Sequence, residues 1–174
     1  MTSLLSPASL TAAEKTVLII KFEDAEHSEL ASKLYRKVVT KISEHMENAG
    51  FRTLKDDKRL HQNPEFQSSH TDSNLLAKIR EENGTNIDFV AIVQILANTV
   101  LLQEGTRIEV EINGRMLNVS NGDVLARFDL SVPNTLNAPP ACDRKCIIQL
   151  LEDNTAFLAD SLGQVLAKRL QNSQ

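Results

Sequence analysis

The chain is poor in the side chains that nucleic-acid partners require. It contains no tryptophan and one tyrosine, and aromatic residues make up only 4% of its 174 positions. Its formal net charge is −4 and its pI is about 5.6. Because phosphate binding needs clustered positive charge and single-stranded bases stack on aromatic rings, no nucleic-acid partner is expected.

Long apolar runs are also missing. The two longest, residues 16–20 and 89–95, are far shorter than the roughly 20 residues of a spanning helix, so no transmembrane segment is expected. A hydrophobic fraction of 41% and a charged fraction of 24% are typical of one globular domain. We expect a flexible lead-in at residues 1–15 and a single domain at 16–174. Residues 1–13 lack the basic start of an intact signal peptide, so a signal removed earlier and an untargeted protein both remain open.

Motifs for catalysis or cofactor binding are absent as well. No glycine-rich phosphate loop is present. A polar loop at residues 55–71 collects residue types that bind metals: His61 and His70, near Asp56, Asp57, Glu65 and Asp72. Their spacings match no metal-binding motif, and a solvated loop is favoured. We therefore expect no catalytic residue, no cofactor and no metal site, and we expect His45, inside a predicted helix, to face solvent.

The only cysteines, Cys142 and Cys146, form a close pair that can be read in two ways. In a reducing compartment they are free thiols, whereas in an oxidising one they could close a small loop. Their spacing is awkward inside a regular helix but workable at a helix start, where Pro139 and Pro140 would place it. We treat the pair as a candidate disulfide, conditional on export. No histidine lies nearby in the sequence to activate a thiol.

Hydrophobic periodicity predicts most of the elements. Strands are predicted at residues 16–22, which should be central in the sheet, and at 51–54, 87–95 (with an extension over 99–102), 107–112 and 123–130. Helices are predicted at residues 28–48, from 71 or 72 to before Gly84, and from 143 to about 170. The order β-α-β-α-β-β-β-α defines an α+β fold with a mixed, mainly antiparallel sheet covered by two or three helices.

The segment from Ile112 to Phe128 contains two Asn-Gly dipeptides that favour turns. We place the hairpin turn at Asn121-Gly122. At Asn113-Gly114 we expect a bulge, which would put Leu117 and Val119 on the same face as Ile108 and Val110.

Residues 112–128, INGRMLNVSNGDVLARF, resemble a hairpin of the CsgG-like curli-secretion lipoproteins. The same layout occurs in the TolB amino-terminal domain, in flagellar outer-membrane ring proteins and in lipoprotein activators of penicillin-binding proteins. The matching surroundings are strands at residues 17–22 and 87–95 and helices at 31–42 and 158–170. The chain departs from the curli proteins in having no lipid-attachment cysteine near its start.

The resemblance implies a non-enzymatic periplasmic accessory or assembly domain. Its partners would be other envelope proteins or further copies of itself, in a secretion, flagellar or other outer-membrane-associated complex. A location in the periplasm or at the outer membrane is expected, with the cytoplasm as the alternative. Two other functions stay open: a periplasmic regulator that docks on a cell-wall synthase through residues 55–71, and a small metal-dependent hydrolase that uses His61 or His70.

Overall fold

The computed structural model describes residues 14–22, 29–55, 71–82, 86–132 and 136–173. Its elements are β1 (Thr16–Lys21), α1 (Glu29–Asn48), β2 (Arg52–Lys55), α2 (Asp72–Glu82), β3 (Phe89–Leu102), β4 (Gly105–Asn118), β5 (Val124–Ser131), β6 (Leu136–Ala138) and α3 (Arg144–Asn172). The predicted α+β class and element order are confirmed. One further short strand, β6, was not predicted.

The strands form one mixed sheet in the order β2-β1-β3-β4-β5, with β6 also paired to β4. Strand β1 is parallel to both of its neighbours, and the pairs that involve β4 are antiparallel. Val17 and Ile19 are fully buried, and Leu18 and Ile20 nearly so. An apolar β-branched run suits a strand covered on both faces, and the predicted central place of β1 is confirmed.

Helices cover both faces of the sheet, each face holding its own apolar cluster. On the first face, α1 and α3 pack over alternate residues of β1, β3 and β4, including Val17, Ala91 and Ile112. On the second face the single short helix α2 packs Leu76 and Ile79 against the intervening residues. Because successive strand side chains point to opposite faces, this division follows from the period of two.

The bulge predicted at Asn113-Gly114 is wrong. Strand β4 keeps an unbroken register with β3 from residue 105 to 118, and the only shift lies between Met116 and Leu117, in the pairing with β5. Leu117 therefore packs under α2, on the face opposite Ile108. The prediction assumed one apolar face, whereas α2 provides a second core that accepts Leu117 without any bulge.

The hairpin turn at Asn121-Gly122 is confirmed. Gly122 has φ of +79°, a left-handed value that favours glycine, and its N–H donates to the Asn118 carbonyl at 2.9 Å. The Asn121 side chain accepts a hydrogen bond from the Asp123 N–H at 3.0 Å. These local bonds fix where β4 ends and β5 begins.

Helices α1 and α3 approach closely at Gly163, and His45 lies at this contact. The His45 ring is 2.8 Å from Asp160 across the two helices, measured from Nε2 to Oδ1. The expectation that His45 faces solvent is wrong, since its side chain is only 23% exposed. The hydrogen bond from His45 is the main reason why the pKa of Asp160 lies below its usual value.

A buried carboxylate links the same two helices further along. Glu152 of α3 is only 6% exposed, and it forms ion pairs with Lys33 and Lys37 of α1, the second at 2.5 Å. These contacts, Lys33 first and Lys37 next, hold the pKa of the Glu152 carboxyl below its usual range. Pairing with two cations offsets the cost of burying the charge.

Replacing Gly163 by alanine should destabilise the fold. The added Cβ would lie 2.7 Å from Cδ2 of His45 and 3.2 Å from its Cβ, so α1 and α3 would have to separate. Urea unfolding should show a loss of about 1 to 3 kcal/mol. As the control, the same change in a His45→Ala background should cost less, because the 2.7 Å contact with Cδ2 is gone and only the 3.2 Å contact with Cβ remains. Equal effects in both backgrounds would contradict this contact.

Replacing Glu152 by glutamine should lower the free energy of unfolding by about 1 to 3 kcal/mol at neutral pH. The folded pKa of Glu152 is lowered, so its contribution is complete above the unfolded value of about 4.3 and is lost as the pH falls through the folded pKa. Denaturation curves between about pH 6 and 3 should therefore converge for the two proteins. A constant difference across this range would show that the carboxylate charge is not what matters.

Candidate functional site

The cysteine pair lies at the amino-terminal end of α3 and is bridged in the structure. Cys142 and Cys146 form a disulfide with a Cα–Cα distance of 5.3 Å. Between them Asp143 caps the helix, and its carboxylate accepts a hydrogen bond from the Cys146 N–H at 2.9 Å. The spacing fits because Cys142 precedes the first helical turn. The bridge thus fixes the start of a helix and offers no free thiol for chemistry.

The other candidate residues fall mainly outside the structure's described part. His61, His70, Asp56, Asp57 and Glu65 belong to residues 56–70, which are not described, and Asp72 bonds instead to Arg115 at 2.7 Å. Among the residues that are described, no group of three or more metal-ligating side chains occurs. Within the same residues no helix is long and apolar enough to cross a membrane.

A groove of about 500 Å³ beside α1 is lined by Lys33, Arg36, Lys37 and Lys41. Three of these four cations already have acidic partners: Lys33 and Lys37 bind Glu152, and Lys41 binds Glu44. The groove is therefore largely neutralised by its own helices and is a weak candidate for an anionic ligand.

The feature most suited to binding is the far half of the β3–β4 hairpin, residues 95–102 and 105–112, which we call the arm. Strand β3 is 14 residues long, but β1 pairs with it only from Phe89 to Val93. Within the described ranges, the last backbone bond on that side joins the Phe22 N–H to the Val93 carbonyl at 2.9 Å. Beyond it, no strand in the described part of the chain pairs with this side of β3. Among the residues that the structure describes, the arm thus has one free edge.

The free edge displays backbone groups in a regular order. The Val119 N–H donates to the Asp88 carbonyl, whereas the Val93 carbonyl accepts from Phe22 on the opposite side. Because the β3–β4 register has no break, the even-numbered residues of β3 face β4 and the odd-numbered ones face the edge. Ile95, Ala97, Thr99 and Leu101 therefore present their N–H and C=O groups along it. Such a row is a template for another strand.

The side chains of this edge are apolar and exposed. Leu96 is 37% exposed, Val100 42%, Leu102 36% and Leu101 84%. Residues 95–102 contain no charge, proline or glycine, although edge strands are commonly protected by such residues. The charged residues of the arm's strands, Arg107, Glu109 and Glu111, all lie on β4, one strand away. An uncharged apolar edge next to an ordered core is what strand addition requires.

Hydrophobic periodicity in the sequence already indicated part of this surface. The periodicity predicted the strand at residues 87–95 and its extension over 99–102, and both belong to β3. The strand predicted at residues 16–22 matches β1 closely, but the sequence did not show that β1 lies beside β3 and that no other described strand pairs with this side of β3 beyond it. The run from Leu96 to Leu102 is as apolar as a buried strand, so only the pairing partners reveal that it is exposed.

Comparison with known proteins shows similarity of fold only. No family model matches the chain, and no curated protein matches it in sequence. The lipoprotein GNA1162 from Neisseria meningitidis superposes with a TM-score of 0.53 at 12% identity, over 84% of this chain and 99% of that one. Protein XCC0632 from Xanthomonas campestris, of family DUF330, gives a TM-score of 0.53 at 10% identity, over 99% and 95%. A PelC dodecamer from Paraburkholderia phytofirmans is less similar, with a TM-score of 0.49 at 11% identity over 88% of each chain.

The Cys142–Cys146 bridge should stabilise α3 modestly. It closes a loop of only about five residues, for which the chain-entropy model gives about 2 kcal/mol. Replacing both cysteines by serine should therefore lower the Tm by about 4 to 8 °C, as followed by circular dichroism. Reductant should cause the same shift in the unmodified chain and none in the serine variant. If reductant leaves the unmodified chain's Tm unchanged, the bridge does not contribute to stability.

Proposed function

We propose that this protein is a non-enzymatic accessory or assembly domain of the bacterial envelope, and that it binds another polypeptide through the arm. The observation that supports this proposal most directly is the uncharged, exposed edge of β3 over residues 95–102. Binding along this edge would satisfy the outward N–H and C=O groups and would remove Leu96, Val100 and Leu101 from water. Both gains favour association and need no catalytic residue.

The fold supports an envelope role. One of the two best-superposing proteins described above, GNA1162, is a bacterial lipoprotein. The hairpin over residues 112–128 resembles those of CsgG-like and TolB-like envelope proteins, and it forms with its turn at Asn121-Gly122. The bridged state of Cys142 and Cys146 also fits an oxidising compartment. We therefore propose the periplasm or the outer-membrane surface as the site of action.

The alternative functions lack comparable support. A regulator that docks through residues 55–71, or a hydrolase that uses His61 or His70, would depend on side chains outside the described residues. By contrast, the structure describes every residue of the proposed binding edge, and the large apolar side chains Leu96, Val100 and Leu101 are exposed there. The arm therefore carries the proposal.

An aspartate at Leu101 should abolish partner binding without unfolding the chain. Leu101 is 84% exposed, so a charge there costs little in the free protein but would be buried in a complex. Tagged protein crosslinked in living cells and purified from the envelope fraction should yield at least about tenfold fewer crosslinked products. The readout is quantitative mass spectrometry of the crosslinked species.

The matched control is Phe157→Asp, since Phe157 of α3 is also apolar and 64% exposed but lies far along the chain from the arm. It should retain the crosslinked products at the unmodified level. If Leu101→Asp retains them as well, the arm is not the binding surface. Recovery of the tagged protein from the cytoplasm alone would contradict the envelope location.

A further inference from the structure

We infer that the partner of the arm is a second copy of this chain, bound edge to edge by β3. The two strands would run antiparallel across a two-fold axis at Asn98, joining the sheets of the two copies. This inference rests on the proposed role of the arm as a binding surface and adds the identity of what it binds.

The side chains of the edge are complementary to themselves. In an antiparallel pair centred on Asn98, a residue that precedes Asn98 in one copy faces the residue equally far after Asn98 in the other copy. Ile95 then lies opposite Leu101 of the other copy, Leu96 opposite Val100, and Ala97 opposite Thr99. The pairs Ile95–Leu101 and Leu96–Val100 thus each join two large apolar side chains, and Asn98 lies opposite Asn98 of the other copy. An unrelated partner would have no reason to match this symmetric order, whereas a two-fold interface requires it.

The backbone is arranged for the same register. The N–H and C=O groups of the odd-numbered residues point to the edge. In this pairing each odd-numbered residue lies opposite an odd-numbered residue of the other copy. Ala97 with Thr99, and Ile95 with Leu101, become hydrogen-bonded pairs that repeat across the axis. The backbone N–H and C=O of Asn98 point toward β4. The two Asn98 residues therefore form a non-hydrogen-bonded pair, with their Cα atoms about 4.5 Å apart. No backbone group of the edge is left without a partner over these residues.

Charge favours a second copy as well. Edge strands that must avoid self-association carry charged side chains, and none occurs from residue 95 to 102. A charged partner peptide would find no counter-charge on the edge itself. Leu101 is the most exposed of these residues. In the dimer its register partner, Ile95 of the other copy, lies on the same face of the sheet and covers it.

A cysteine at Asn98 tests the register directly. At a Cα separation of about 4.5 Å, two copies of Asn98→Cys should form an intermolecular disulfide on mild oxidation. Leu96→Cys alone should not, because two copies of residue 96 would lie about 13 Å apart along the strands. Val100→Cys alone should fail for the same reason. A mixture of the Leu96 and Val100 variants should crosslink, since these residues face each other. Mass spectrometry of the non-reduced peptides identifies each bridge.

Proline at Ala97 tests the backbone pairing. The Ala97 N–H faces the free edge, so proline removes an edge donor without removing a bond to β4. Two donors are lost per dimer, and sedimentation equilibrium should show dimerisation weakened about 30-fold. Leu101→Lys, at an exposed side chain, should weaken it at least as much and controls for any misfolding of the proline variant. Phe157→Lys should leave the dimer unchanged.

The outcomes separate this inference from the proposed function. Dimers whose bridges follow the predicted register support the inference. If the unmodified chain stays monomeric at high concentration, or if Leu96→Cys alone crosslinks as well as Asn98→Cys, the inference is overturned. Should Ala97→Pro still abolish the envelope crosslinks in that case, the edge binds a different polypeptide and the proposed function stands. If Ala97→Pro leaves the envelope crosslinks unchanged, both the inferred dimer and the proposed binding through the arm are wrong.

Discussion

The length mismatch between β1 and β3 is the constraint on which the rest of the structure depends. Strand β1 has 6 residues and β3 has 14, and they pair over only Phe89 to Val93 on the β3 side. Where both strands are present, helices cover both faces of the sheet, and the core on the α1–α3 face continues past the end of β1 to Val110 and Ile108 of β4. Where β1 has ended, β3 continues with β4 as its one strand partner among the described residues. The same strand is therefore the centre of the core at one end and a free edge at the other.

The packed end of the molecule gives the arm a rigid base. Helices α1 and α3 are held together by close approach at Gly163, by the His45–Asp160 hydrogen bond and by Glu152 between two lysines. On the other face α2 covers the second core, which includes Leu18, Val90 and Leu117. A well-packed base would hold the edge in its extended shape, so that the proposed association would cost little conformational entropy. The core also extends beneath the β4 strand of the arm, where Ile108, Val110 and Ile112 are buried, so only the outer side of β3 is left for the proposed binding.

Fold similarity and function remain separate questions for this chain. The superpositions on GNA1162 and XCC0632 cover most of each chain at 12% and 10% identity, and they establish a shared architecture. One architecture serves many functions, because function depends on the surface groups placed on it. In the function proposed above, those groups are the uncharged edge of β3 and the order of its side chains about Asn98.

The sequence by itself determined the α+β class, the order of the main elements, the central β1 and the turn at Asn121-Gly122, because periodicity and turn chemistry are local properties. It also marked Cys142 and Cys146 as able to bridge, since their distance depends on one helix start. Only the tertiary structure decided the rest. Leu117 lies beneath α2 and His45 lies against α3, because distant segments supply those partners. The apolar run to Leu102 is exposed for the same reason: whether a strand is buried depends on which neighbours reach it, and that is set by the lengths of other strands.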